Sequence, residues 1–200
     1  MNAEALRARL AGLSTHPPPD PQAPGDGADP AGRTLVPAAV LVPIVLADEP
    51  GIILTKRTAH LTRHAGQVSF PGGRIDPSDR TPEAAALREA HEEIGLDPAS
   101  VELRGQLPPF ITNSGYRITP VVGLLPELPA FHPAPGEVEA VFELPVCVLL
   151  DPTAPQRQMW EDAGGRREIW VWPHPDHFIW GATAAILMHL AQLLRGEGAG

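Results

Sequence analysis

Three glutamates crowd one short stretch of this chain: Glu89, Glu92 and Glu93, within the segment TPEAAALREAHEEIGL that runs from Thr81 to Leu96. At roughly 100° per residue in a helix, they fall within an arc of about 100°. Carboxylates three or four residues apart repel by about 0.2–0.5 kcal/mol per pair. At the C-terminal end of a helix the macrodipole adds about 0.3–1 kcal/mol against each. A helix built only for stability carries lysine or arginine there. A hard divalent cation such as Mg²⁺ or Mn²⁺ reverses the sign of these terms, and the same ions coordinate phosphate oxygens. Glu89, Glu92 and Glu93 are therefore candidate metal ligands for chemistry at phosphorus. On these three residues alone, a solvated acidic face is the competing reading.

The segment before them favours the ligand reading. Phe70-Pro71-Gly72-Gly73 ends a predicted strand, and paired glycines permit positive φ and close approach of backbone to a ligand. Gly72 and Gly73 are thus candidate substrate-binding positions. Arg88 adjoins the carboxylates, either as an ordinary surface partner of Glu92 one turn on or as the group that orients a glutamate. The helix itself is punctuated at both ends. Thr81 suits the N-cap, Pro82 the first helical position and Gly95 the left-handed C-terminal position. Glu83, Leu87, Ala90 and Ile94 share a face whose three apolar members predict the core contact, with the carboxylates opposite. His91 falls at the edge of that face, as packing or surface.

Charge is unevenly distributed. The net charge of −9 argues against a general nucleic-acid binder. Yet between Glu49 and Asp76 there is no acidic residue, while Lys56, Arg57, Arg63 and Arg74 lie there with His60 and His64. A locally basic stretch in an acidic chain suits a small anionic ligand. The single cysteine, Cys147, sits in the apolar run VCVLL and is expected in the core. One cysteine allows no internal disulfide, which with the absence of a signal-peptide apolar core predicts an intracellular, cytoplasmic protein. No stretch approaches the roughly 18 apolar residues of a membrane span, so no membrane partner is expected. The oligomeric state stays open, with a homodimer among the arrangements allowed.

The elements that must position these residues are read from periodicity. Residues 2–13 predict a short helix with Leu6, Leu10 and Leu13 at helical spacing. Residues 16–32 are too rich in proline, glycine and aspartate to pack and read as a linker. Residues 1–34 therefore form an N-terminal segment, and the folded domain is expected over 35–200. Strands are predicted at Ala38–Ala47, Ile52–Thr55, Gln67–Phe70, Val101–Leu107, Ile118–Leu125, Val138–Glu143 and Arg167–Trp172. Helices are predicted at Pro82–Ile94 and Trp180–Leu194, the latter burying Ile186, Leu187, Leu190 and Leu194. This order fits an α+β fold, an α/β/α sandwich, better than a regular parallel array.

The run Gly73 … Arg88-Glu89-Ala90-His91-Glu92-Glu93-Ile94-Gly95-Leu96 resembles the box of the Nudix hydrolase family. Two departures stand out: Arg80 where the family box has a glutamate, and a loop one residue longer. Gly72-Gly73-Arg74-Ile75-Asp76-Pro77-Ser78-Asp79 and the upstream Ile53-Leu54-Thr55-Lys56-Arg57-Thr58 … Gly66 … Phe70-Pro71-Gly72-Gly73 resemble the coenzyme A pyrophosphatase branch, with Thr62 where that branch usually has arginine and Arg63 adjacent. The similarity continues through Ser114–Gly123, Glu137–Pro145 and Phe178–Ile186. It implies a Nudix fold with a mixed sheet. It also implies metal-dependent cleavage of coenzyme A or its derivatives to 4′-phosphopantetheine and adenosine 3′,5′-bisphosphate. Glu89 and Glu93 would then be the first metal ligands, with Glu92 a third or an outer one. Arg88 would orient a glutamate, and Arg57 and Arg63 would contact the 3′-phosphate or diphosphate. The general base would be a box glutamate or a loop residue, Glu137 or Glu139. ADP-ribose, NADH or dinucleoside polyphosphates are alternative substrates, and a non-catalytic binding protein of the same fold is the remaining alternative. Tyr116 and the tryptophans are expected to be buried, and His174-Pro175-Asp176-His177 to form a plain turn.

Overall fold

Two ten-residue strands, β1 (Val36–Val45) and β7 (Tyr116–Leu125), lie side by side in parallel at the centre of the protein, paired from Val36↔Tyr116 to Val45↔Leu125. A computed structural model of the chain describes residues 1–14, 34–60, 65–162 and 165–197. The predicted linker, Arg63 and His64 lie outside the described residues. On the far side of β1, β2 (Gly51–Arg57) pairs antiparallel with it and carries β3 (Val68–Ser69) and β8 (Val138–Pro145). The short β4 (Gly72–Arg74) pairs with the first half of β1. On its other side β7 carries β5 (Glu102–Gln106) and β6 (Phe110–Ile111).

Period-two alternation sends alternate residues to two different cores. Ala39, Leu41, Ile53, Val121 and Leu125 face α2 (Pro82–Ile94). Val42, Ile44, Ile52, Leu54, Val122 and Leu124 face the opposite layer. That layer is α4 (Gly181–Arg195), with α1 (Ala3–Leu10) and α3 (Val146–Leu150) beside it. Helices on both faces of a mixed sheet make the expected α+β sandwich. The face predicted for α4 is the buried one, since Ile186, Leu187, Leu190 and Leu194 all lie in its core. Leu6 and Leu10 of α1, N-terminal to residue 35, are fully buried in that same core, and Arg7 pairs with Glu102. No helix among the described residues is long and apolar enough to cross a membrane.

Four strands were not foreseen: β4, the two-residue β6, β9 (Gln156–Asp162) and β11 (Ile179–Trp180). β4 is mostly glycine, which has no strand propensity of its own, and it exists because β1 offers it a partner. β9 is largely polar and pairs with β10 (Gly165–Trp172) in a separate sheet completed by β11. Cys147 corrects the sequence reading. It is exposed, because α3 turns Val146 and Leu149 inward and leaves Cys147 on the outer side. Trp170 is likewise exposed, its ring covered by the Arg157 guanidinium at 4.7 Å, whereas Trp172 is fully buried.

Candidate active site

The helix that carries the carboxylates is locked at both ends as expected. The Thr81 side chain accepts from the Ala84 N–H at 3.2 Å, and Gly95 closes the helix at φ 69°, its N–H donating to the His91 carbonyl. The apolar residues predicted to meet the core do so, Ala90 and Ile94 fully buried and Leu87 packed at its edge, but the buried face is wider than predicted. Ala85, Ala86, Ala90, Glu93 and Ile94 are buried, while Glu83 and Leu87 are only half-buried. The inward face thus extends toward the carboxylates, and Glu93 sits within it. Small alanines let the helix lie close to the sheet, so a carboxylate on that face reaches backbone rather than solvent. Glu83, at the N-terminal end, instead accepts from the Gln106 amide at 2.6 Å.

β4 receives these carboxylates. The Gly72 N–H donates to Glu93 Oε2 at 3.1 Å. Gly72 has φ 155°, and a Cβ there would stand 2.5 Å from the Ala39 carbonyl oxygen, so only glycine fits against β1. At Gly73 the obstacle is different: a Cβ would stand 2.5 Å from the Glu89 carboxyl carbon. The pair of glycines therefore serves two neighbours, Gly72 a strand and Gly73 the Glu89 carboxylate.

Arg88 ties the segment together. Its guanidinium donates from Nε and Nη2 to the two oxygens of Asp79 at 3.1 and 2.9 Å, a bidentate fork. Nη1 donates to Glu89 at 2.9 Å and to Glu92 at 3.1 Å, and Nη2 also reaches the Arg74 carbonyl. Asp79 supplies the carboxylate whose expected position is held by Arg80. One extra residue in the loop shifts the anion by one place in sequence and leaves it opposite Arg88. The Arg88 guanidinium holds the Asp79 carboxyl below the usual carboxylate range, and the Asp79 and Glu89 carboxylates raise the arginine in return. Asp79 was missed as a site residue, although it belongs to the GGxxDxxD pattern.

The two inner glutamates are unlike ordinary surface acids. Burial pushes the Glu93 carboxyl up to about 7, against the opposing pull of the Gly72 N–H and of Arg57. Burial also raises Glu89, with Arg88 opposing. Arg57 reaches Glu93 Oε1 with Nη1 at 3.3 Å. Glu92 points outward and is held by Arg88. Among the described residues no three acidic, histidine or cysteine side chains are grouped as a metal cage. Two desolvated carboxylates one turn apart nevertheless fit Mg²⁺ or Mn²⁺ by their chemistry. They are hard oxygen donors whose burial outweighs the pull of Arg88 and Arg57, and Mg²⁺ is usually held by one or two carboxylates with substrate phosphates and water.

The loop candidates separate clearly. Glu139 is held by Lys56 at 2.6 Å. Glu137 adds to the negative field that Glu93 feels, and its backbone carbonyl accepts from the Thr58 N–H, just beyond Arg57. The loop before it docks on the end of α2, with the Ala134 N–H donating to the Glu93 carbonyl and the His132 N–H to that of Ile94. Tyr116 is half-buried, and the Arg74 guanidinium donates to its hydroxyl at 2.9 Å. His91 is a surface residue facing the Leu96 carbonyl. His174 accepts from the N–H groups of Asp176 and His177, which makes that stretch a self-closed turn, with His177 stacked on Phe142 at 3.9 Å.

A model of the NUDIX domain matches residues 35–174. A protein of Escherichia fergusonii described as an uncharacterized Nudix hydrolase, NudL, is 45% identical over 154 residues, covering 77% of this chain and 80% of its own length. The protein of the same description from an Enterobacter species is 43% identical over the same shares. Among solved structures, a MutT/nudix family protein from Enterococcus faecalis superposes with a TM-score of 0.53 at 16% identity, over 84% of this chain and 66% of that one. A Deinococcus radiodurans protein superposes with a TM-score of 0.52 at 18% identity, over 80% and 86%. These two show likeness of fold. With a domain match across most of its length and relatives this similar, the chain belongs to the Nudix hydrolase family.

Proposed function

We propose that this protein hydrolyses the pyrophosphate bond of coenzyme A or its derivatives, yielding 4′-phosphopantetheine and adenosine 3′,5′-bisphosphate. Nudix hydrolases generally use divalent metal ions; here Glu89 and Glu93 would hold Mg²⁺ or Mn²⁺, with Glu92 at the outer edge. When bound, such a cation neutralises charge on pyrophosphate oxygens and acidifies water. The remaining work falls to the chain. Arg88, braced by Asp79, fixes the direction of the Glu89 carboxylate. Gly72 holds Glu93 through its N–H and keeps that carboxylate aimed at the site. Glu137, close enough to perturb Glu93 and not tied up by a lysine, takes the proton of the attacking water as general base. Arg57 and Arg63 receive the 3′-phosphate or diphosphate of the substrate.

The observation that carries the reading is the Glu93 carboxylate, buried on the inner face of a helix with only a long contact to Arg57, beside a Gly-Gly strand that leaves room for the neighbouring Glu89. The coenzyme A assignment rests on the flanking pattern Thr55-x-Arg57 … Phe70-Pro71-Gly72-Gly73 and on Asp79. Incubation with coenzyme A and Mn²⁺, with mass detection, should show both products in equal amounts. ADP-ribose cleaved far faster than coenzyme A would overturn the substrate assignment.

A further inference from the structure

Arg57 leaves β2 where the ladder with β8 slips, between Lys56↔Ala140 and Arg57↔Val138. The extra residue is Glu139 on β8, and Arg57, opposite that irregularity, reaches Glu93. The contact it makes is poor. At 3.3 Å it is longer than the roughly 2.7–2.9 Å of a good charge-assisted bond. Its Nε is buried with no partner among the described residues. A guanidinium is a rigid fork of donors that pairs best with two oxygens of one planar or tetrahedral anion. Here one prong touches a carboxylate at long range and another is unsatisfied, which is unfavourable unless a different anion completes it.

Glu93 is equally committed. Its Oε2 accepts from Gly72 and its Oε1 faces Arg57. A divalent cation on Oε1 would repel the guanidinium at the same oxygen, and the 3.3 Å contact is already a weak one to give up. We infer that Arg57 exchanges partners: it rests on Glu93 while no cation is bound, and passes to a substrate phosphate oxygen when a divalent cation takes Glu93. This rests on the reading of Glu93 as a metal ligand. Arg57 then acts oppositely in the two states. It competes with the cation in the free protein and anchors substrate in the complex, so that loading of cation and substrate favour each other.

Mn²⁺ titration of the substrate-free protein by electron paramagnetic resonance, beside steady-state kinetics with coenzyme A, tests this on the full chain. Arg57→Gln should bind Mn²⁺ roughly three- to fivefold more tightly, the scale of one weak ion pair, while KM rises about tenfold or more. Arg57→Lys keeps a charge beside Glu93 but loses the fork, so its Mn²⁺ affinity should stay at the wild-type level while KM still rises. Unchanged or weaker Mn²⁺ binding in Arg57→Gln overturns the exchange, as does an unchanged KM in Arg57→Lys. If Arg57→Gln fails to fold, the lysine variant alone decides. Glu93→Gln is the control. It should abolish the tight Mn²⁺ site. Wild-type binding in that control would sink the metal reading itself, and with it the exchange. Loss of the site in the control with no shift in Arg57→Gln sinks the exchange alone.

Discussion

The two faces of the central sheet are built to opposite ends. Against α4 the sheet presents Ile, Leu and Val, met by Ile186, Leu187, Leu190 and Leu194, with Trp172 fully enclosed and its indole N–H donating to the Ala184 carbonyl. Every group there gains from burial. Against α2 the helix offers mainly alanines, β4 offers glycines, and in the middle lies a carboxylate with 5% side-chain exposure. That face forgoes apolar area to bring a charge against the Gly72 N–H. One layer secures the fold, and the other holds electrostatic strain that a cation can relieve. Burying an ionised group with few partners is unfavourable in itself, and the second layer is tolerable because the first is so apolar.

That contrast can be broken in several ways. Glu93→Gln should have the largest effect, lowering kcat by about 10³-fold, on the scale of deleting a key electrostatic group. Its fold should persist and, without metal, should gain stability at pH 8. The sign follows from protonation. Glu93 titrates near 7 in the folded protein, well above an ordinary carboxylate, so the folded state binds more protons than the unfolded one between the two values. Stability of the metal-free protein should therefore fall by about 3 kcal/mol as pH rises through that window and then level off. Urea titrations at pH 5 and pH 8 read this directly, and the glutamine variant should lose most of the dependence. A wild-type profile that is flat, or rises, would mean Glu93 is not strained.

Leu187→Ala on the other face should do the reverse, lowering stability by about 2–5 kcal/mol with kcat/KM preserved at temperatures where the protein stays folded. Gly73→Ala should lower turnover by about 10²-fold, since displacing a positioned group by an ångström has that effect. Its melting temperature should move little, because the added methyl meets the Glu89 side chain rather than backbone. A Gly73→Ala protein that melts early yet turns over normally would erase the distinction between the faces. The smallest effect is expected at Asp79→Asn. Losing one charged partner of Arg88 should lower kcat about tenfold with KM nearly unchanged, and an unaltered kcat would show that Arg88 needs no brace.

The helix that carries the site was readable because its signals are local. Thr81, Pro82 and Gly95 mark its ends whatever packs on it, and the glutamate spacing shows the crowding of charge. How far the inward face extends was not readable. Periodicity found Leu87, Ala90 and Ile94, which do meet the core, but close packing on glycine strands also draws in Ala85, Ala86 and Glu93. Asp79 was hidden for a related reason. A residue that completes an arginine fork nine positions away is set by the path of the loop between them. Cys147 misled because a short apolar run says nothing about which side of a single helical turn meets the core.

By itself the sequence determined where the main strands run, the ends of α2 and the presence of three carboxylates beside a Gly-Gly pair. Each follows from neighbours along the chain, where geometry is fixed by covalent spacing. Only the tertiary structure decided that Glu93 is buried, that Gly73 yields its space to Glu89, that Asp79 braces Arg88 and that Arg57 faces Glu93. Those are matters of which distant backbones pack together and how closely. Desolvation, the term that turns an ordinary glutamate into a strained one, exists only once they have done so.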